Sequence, residues 1–213
     1  KEDFAGFDAQ LIIMDVVPWM LPYYEASGIQ FEIEDNRDYM DYTFTPEQFL
    51  AGMDTQDDRY RYNYFKRRFA YETEEITPFH REEIREFMER EWCGEKTCEE
   101  CHCGCLLRVI DNLVPVFDKI RINGILVRVE GKMAGLCIVS CRNGLGVYQY
   151  KNAVNRIKGI NEYLLRESFE RYLQSADTIN YTEDMGVENL RYYKEHMAPA
   201  HTLLSKLTLT ERG

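Results

Sequence analysis

Apolar and polar positions recur with clear periods along this 213-residue chain, and the periods name the elements. Residues 147–199 carry the sharpest pattern. A β-prone run at 147–153 meets a basic turn, Arg156-Ile157-Lys158-Gly159. Ile160, Leu164, Leu165, Phe169, Tyr172 and Leu173 then return at helical spacing and make one apolar face. A second short strand is expected at 178–181. Asp184-Met185-Gly186 punctuates it, and 187–197 reads as a helix with Leu190, Tyr193 and Met197 on one stripe, closed by Pro199.

The rest of the chain follows in the same way. Residues 10–17 read as a strand, and 18–27 as a short helix stopped by Gly28. Residues 31–44 alternate around Asp35-Asn36 and predict one or two strands. Thr45-Pro46-Glu47 opens a helix, with Thr45 as cap and Pro46 at the first helical position. Residues 59–69 are basic and aromatic. Such a mix stacks on bases and holds phosphates; the blander reading is an amphipathic helix whose rings pack while its Arg side chains stay wet, and it is preferred. A strand is expected at 70–76, and a helix from Thr77-Pro78 to Trp92 with acids and bases four apart. Residues 106–117 are helical by spacing. Residues 122–129, Glu130-Gly131-Lys132 and 134–141 form a hairpin, and Asn143-Gly144 is a second hairpin turn. Residues 201–210 end the pattern as a strand.

Charge changes the picture. The net charge is -11, and residues 1–58 hold 14 acids against 2 bases, while 59–213 hold 23 acids and 24 bases. A broad nucleic-acid surface near the start is therefore excluded, since phosphate binding needs dense Lys and Arg. A local basic patch further on is not. No apolar run approaches the ~18 residues of a membrane span. The chain opens at Lys1 with no signal-peptide core, so a cytoplasmic setting is expected.

Seven cysteines without an export signal fit a reducing compartment. Residues 93–105 gather five of them with His102, and Cys98, Cys101, Cys103 and Cys105 are candidate zinc ligands. A second Cys-x-x-Cys half-site at a distance is missing, so a cysteine-rich loop is preferred to a metal site.

From residue 70 the predicted order is β, α, α, β, β, β, α, β, α, β, which resembles the GNAT acyltransferase fold. That fold class is α+β (α/β), a mixed central sheet flanked by helices. The turn after its fourth strand usually reads Q/R-x-x-G-x-G/A; here Arg156 and Gly159 are kept and Asn161 replaces the last small residue. Backbone N–H groups at such a helix start bind pyrophosphate. Asn180, Asp184, Gly186, Leu190, Arg191, Lys194 and Pro199 meet a further pattern. It is similar to the C-terminal domain of phosphatidylglycerol lysyltransferase and its soluble bacterial relatives. Lys151, Asp41-Tyr42 and Lys66-Arg67-Arg68-Phe69 match that family too. Tyr150, Tyr181 and Thr182 stand where the family commonly has Glu, Arg and Glu, and the membrane-spanning half of the lysyltransferases has no counterpart in this sequence. The family is built of two GNAT-like halves. The resemblance thus implies a partial N-terminal half at 1–69, shortened at its start, and a C-terminal GNAT-like domain at 70–213.

What it implies chemically is transfer of an acyl or aminoacyl group from a CoA thioester or an aminoacyl-tRNA to an amine or hydroxyl. Attack on an ester needs a placed carboxylate and a donor to the tetrahedral oxygen. Asp184 is the candidate base or amine anchor, and Lys151 the candidate charge stabiliser. Arg156, Lys158, Gly159, Asn180, Arg191 and Lys194 are candidate binding residues for substrate or cofactor. The bland readings are that Asp184 caps the following helix, and that Arg191 and Lys194 form a solvated face paired with Glu188 and Glu195. The alternative function is a non-catalytic GNAT-like binding or regulatory module. An open cleft between the fourth and fifth strands, lined by Lys151, Arg156 and Asp184, would mark the enzyme.

Overall fold

The computed structural model describes residues 10–93, 106–197 and 201–212. Along the chain run β1 (Ile12–Val16), α1 (Leu21–Glu25), β2 (Phe31–Asp35), β3 (Asp41–Phe44), α2 (Pro46–Gly52), α3 (Gln56–Arg68), β4 (Tyr71–Glu75), α4 (Arg81–Met88) and α5 (Leu106–Leu113). They are followed by β5 (Asn123–Val129), β6 (Lys132–Arg142), β7 (Leu145–Ala153), α6 (Ile160–Ser168), β8 (Thr178–Asn180), α7 (Glu188–Met197), β9 (Thr202–Leu204) and β10 (Leu207–Glu211). Two compact units result: residues 44–180, and residues 1–43 together with 181–213. This division follows compactness, a different criterion from the two halves expected at 1–69 and 70–213.

The larger unit holds strands in the order β4-β5-β6-β7-β8, antiparallel until the parallel step from β7 to β8. A parallel step needs a crossover, and α6 supplies it. β5 and β6 are buried along nearly their whole length, as strands with both faces covered must be. Glu130-Gly131 and Asn143-Gly144 turn the two hairpins with positive φ at both residues (52° and 76°, 50° and 79°), the type I′ geometry those pairs favour. α6 lays Ile160, Leu164 and Leu165 on the sheet, and Phe169 and Leu173 extend the face through a π turn. Thr45 and Gln48 cap α2 reciprocally, as the sequence predicts.

Two helices end differently from expectation, and a third packs only part of its aromatic face. α4 covers only part of the predicted 77–92, because Pro78–His80 forms a 3-10 turn and 89–93 widens to a π turn. α5 stops at Leu113, and Val114–Val116 tightens to a 3-10 turn because Pro115 offers no N–H to continue the ladder. α3 buries Phe65 against Tyr71 and Tyr163, with ring centroids 4.9 Å from each. Its Tyr60 is 54% exposed, so the packed-ring reading of this segment holds for Phe65 and not for Tyr60.

The smaller unit contains an antiparallel sheet β1-β10-β2 and the antiparallel pair β3–β9. Val16, Leu207 and Leu209 form its buried core, with Ile13, Met20, Leu21, Tyr24 and Phe31 packed on it. The single strand expected at 201–210 is therefore two strands with different partners. The switch falls at Ser205-Lys206, where the Lys206 ammonium reaches Asp41 (2.7 Å) and Glu183 (3.5 Å).

Candidate functional site

In the smaller unit the loop between β8 and α7 is bent by three left-handed residues, Thr182, Met185 and Gly186, with φ of 58°, 54° and 70°. A Cβ at Gly186 would lie 2.8 Å from the Asp38 carboxylate, so a side chain there would displace Asp38 and strain the backbone. The bend points Asp184 inward, where its side chain is fully buried. Five hydrogen bonds fill the carboxylate. Oδ2 accepts from Arg37 (3.1 Å), Tyr42 (2.7 Å) and Arg191 Nε (3.0 Å); Oδ1 accepts from Arg191 Nη2 and the Gly186 N–H, each at 2.9 Å. Burial alone would raise its pKa, but the bonds from Arg191, Tyr42 and Gly186 hold it far below the usual carboxylate range. A carboxylate in this state holds cations and does not take up a proton near neutrality.

Arg37 also donates to Tyr42 (2.9 Å) and Glu195 (3.1 Å), and Arg191 to Asp38 (2.5 Å). Lys194 is buried. Its ammonium donates to the carbonyls of Tyr181 (2.5 Å), Thr182 (3.2 Å) and Glu183 (2.8 Å) and lies 4.6 Å from the Tyr181 ring centroid. The solvated-face reading of Arg191 and Lys194 is thus corrected: α7 turns both toward its own preceding loop. Asp184, Arg191 and Lys194 are brought together as the sequence pattern suggests. Arg37 was not singled out there, although a visible signal existed: it is the lone base between residues 2 and 58.

In the larger unit Lys151 stands on β7, in register with Cys137 of β6. Its ammonium donates to Asn161 Oδ1 at 2.7 Å, and burial lowers its pKa. Burial pushes the Cys137 thiol up to about 11, so this cysteine is not a thiolate near neutrality. Asn180 is buried on β8, opposite Val147 of β7.

The Arg156–Gly159 turn precedes α6, with Gly159 left-handed at φ 87°. A Cβ there would lie 2.0 Å from the Arg61 carbonyl oxygen, so the turn is packed on the backbone of α3. Arg156 points outward, its side chain 78% exposed and 3.8 Å from Glu91. Lys158 lies over the rings of Tyr60 and Tyr64, 4.7 and 5.4 Å from their centroids. Tyr60, Asn63, Tyr64, Arg67 and Arg68 line a groove of about 240 Å³ along α3. Among the described residues Arg67, Arg68 and Lys158 make no ion pair, unlike Arg59, Arg61 and Arg166 nearby. The result is an exposed surface of unpaired cations and aromatic faces in a protein of net charge -11.

Cys98, Cys101, Cys103 and Cys105 lie outside the described residues. Among the described residues no three His, Cys, Asp or Glu side chains gather as metal ligands, and no helix is long and apolar enough to cross a membrane. Lys151 and Arg156 belong to the larger unit and Asp184 to the smaller.

A family model described as phosphatidylglycerol lysyltransferase, C-terminal, matches residues 1–205. No curated protein matches the chain. Among solved structures, a conserved protein of unknown function from Bacteroides thetaiotaomicron VPI-5482 is similar with a TM-score of 0.79 at 24% identity, over 99% of this chain and 73% of that one. The L-PGS structure from Bacillus licheniformis is similar with a TM-score of 0.66 at 15% identity, over 99% and 69%. A tandem GNAT protein from the clavulanic acid biosynthesis pathway gives 0.53 at 11% identity, over 96% and 64%. These likenesses identify the fold as GNAT-like, a mixed α+β architecture with helices flanking a mixed sheet.

Proposed function

The chain belongs to the phosphatidylglycerol lysyltransferase C-terminal family, and from that premise we propose that it transfers an aminoacyl group from an RNA ester to an amine or hydroxyl acceptor. The observation that carries the reading is the exposed cationic and aromatic surface of Arg67, Arg68, Lys158, Tyr60 and Tyr64, which suits a donor with phosphates and bases. A CoA thioester is the other donor considered. The Arg61 carbonyl packed against the Gly159 turn favours RNA over CoA, because a carbonyl oxygen is a poor neighbour for a pyrophosphate.

In this reading the acceptor's nucleophile adds to the ester carbonyl, the carbonyl oxygen becomes anionic, and the ribose hydroxyl leaves with a proton. Lys151 stabilises that oxygen; Asn161 fixes its ammonium beforehand, so little reorganisation is needed in the reaction. Arg156 joins Lys158 in holding donor phosphate. Asp184 orders its own unit, holding Arg37 and Arg191 to the loop that precedes α7. Lys194 holds the loop that carries Asp184.

The second reading, a binding module without chemistry, is favoured by the saturated Asp184, which leaves this cluster without a base. The test is direct. RNA charged with a labelled amino acid, and separately acetyl-CoA, is incubated with the protein and a panel of amine and hydroxyl acceptors, and products are read by mass spectrometry. Transfer from the charged RNA alone is expected. Consumption of neither donor, with RNA binding retained, would leave the module reading.

A further inference from the structure

Beyond the transfer chemistry, the smaller unit has a cleft of about 470 Å³ that nothing above uses. Phe31, Ile33 and Leu209 form its floor, and Leu21 of α1 one wall. Ile33 and Leu209 are direct neighbours across β2 and β10. Leu209 is 1% exposed and Ile33 54%, so the apolar floor runs from a covered core out to an open end. The volume lies within the range of small-molecule sites, about 300–1,000 Å³.

Two charged groups border this floor. Glu25 ends α1 and makes no ion pair among the described residues. Among the described residues Arg212 meets a carboxylate only at Glu32, 3.8 Å away and beyond hydrogen-bond distance, and both side chains are well exposed. An apolar floor with one available carboxylate and one available guanidinium complements a zwitterion with an apolar body. A purely apolar body would leave both charges unused. A simple anion would meet Glu25, and a simple cation Arg212.

We propose that this cleft binds a free α-amino acid with a bulky apolar side chain. Its carboxylate pairs with Arg212, its ammonium with Glu25, and its side chain covers Ile33 and Phe31. The site is separate from the residues given roles in transfer, and it stands whether or not that chemistry is found.

Calorimetric titration of the whole protein tests it, with L-leucine, L-phenylalanine, glycine, N-acetyl-L-leucine, L-leucinamide and isopentanol as probes. Saturable binding of leucine or phenylalanine is expected, with the acetylated and amidated forms about tenfold or more weaker, since each gives up one charge-assisted hydrogen bond. Glu25→Gln should bind leucine and N-acetyl-leucine alike, and Arg212→Gln should bind leucine and leucinamide alike. Both positions are exposed, and an unchanged melting temperature checks that the variants fold. No saturation up to about 10 mM, a weaker bound than most specific sites need, overturns the proposal. So does isopentanol binding as tightly as leucine, or leucine affinity indifferent to both variants. A dimer in sedimentation velocity that Arg212→Gln disperses would assign the cleft to a second copy instead.

Discussion

Removing the buried Asp184 or the half-buried Lys151 separates stability from chemistry. Asp184→Asn leaves two guanidinium groups facing a neutral amide, and a loss of about 3 kcal/mol is expected for breaking a buried pair. The folded pKa of Asp184 is depressed, so its contribution is complete above the unfolded value of about 3.9 and fades as pH falls through the folded one. Melting curves of wild type and Asp184→Asn should therefore stay apart by a constant gap from pH 8 to about pH 5 and converge below about pH 4. A gap at pH 2 no smaller than the one at pH 5 would contradict the ion-pair account. Lys151 behaves in the opposite way. Burial lowers its pKa, so the protonated form strains the fold below that pKa, and the strain is relieved as pH rises toward the unfolded value of about 10.4. Lys151→Met should keep or raise the melting temperature at pH 7 and lose that advantage near pH 10. Its transfer rate should fall about 100-fold or more, as for loss of one oxyanion donor. At this scale the sequence pattern located Asp184, Arg191 and Lys194 by their fixed spacing. It could not reveal that Asp184 is saturated, because Arg37 and Tyr42 reach it from about 140 positions earlier in the chain.

Secondary elements were legible where the signal is local. Thr45-Pro46 with Gln48, the two Glu/Asn-Gly turns and the α6 face all follow from neighbouring residues. The split of 201–210 into β9 and β10 was not legible, since each strand is defined by a partner far away in sequence. The length of α4 was missed because its pattern continues while the backbone changes pitch on either side. Two glycines give a test at the level of the turn. Gly131 and Gly159 both have positive φ, but a Cβ meets nothing within 4 Å at Gly131 and the Arg61 carbonyl at 2.0 Å at Gly159. Gly131→Ala should cost about 1 kcal/mol, from conformation alone. Gly159→Ala adds a backbone clash and should cost about 3 kcal/mol or more, read from denaturant midpoints at constant slope. Equal effects would show that α3 does not press on the turn.

The whole molecule carries its excess acid in its first 58 residues and a near-balanced remainder, and the uneven layout sets how it meets a polyanion. Charge reversal at Arg67 and Arg68 should weaken binding of a charged RNA about tenfold at 0.1 M salt. It should also flatten the plot of log affinity against log salt by about 0.7 for each single-strand phosphate no longer neutralised. An unchanged slope would move the phosphates elsewhere. The fold class was readable because the predicted order of ten elements after residue 70 is itself the signature, while the pairing of the two outer strand sets was not. That pairing has a temporal side. β10 lies between β1 and β2, so these two strands wait for a partner made about 170 residues later before their sheet exists. At roughly 5–20 residues per second, that interval is about ten to forty seconds of translation. Over that time Ile12, Met14 and Phe31 have no sheet to enter, while residues 44–180 hold sheet neighbours of their own. Chaperone capture of the nascent chain should therefore depend on residues 12–35, whose sheet waits for β10.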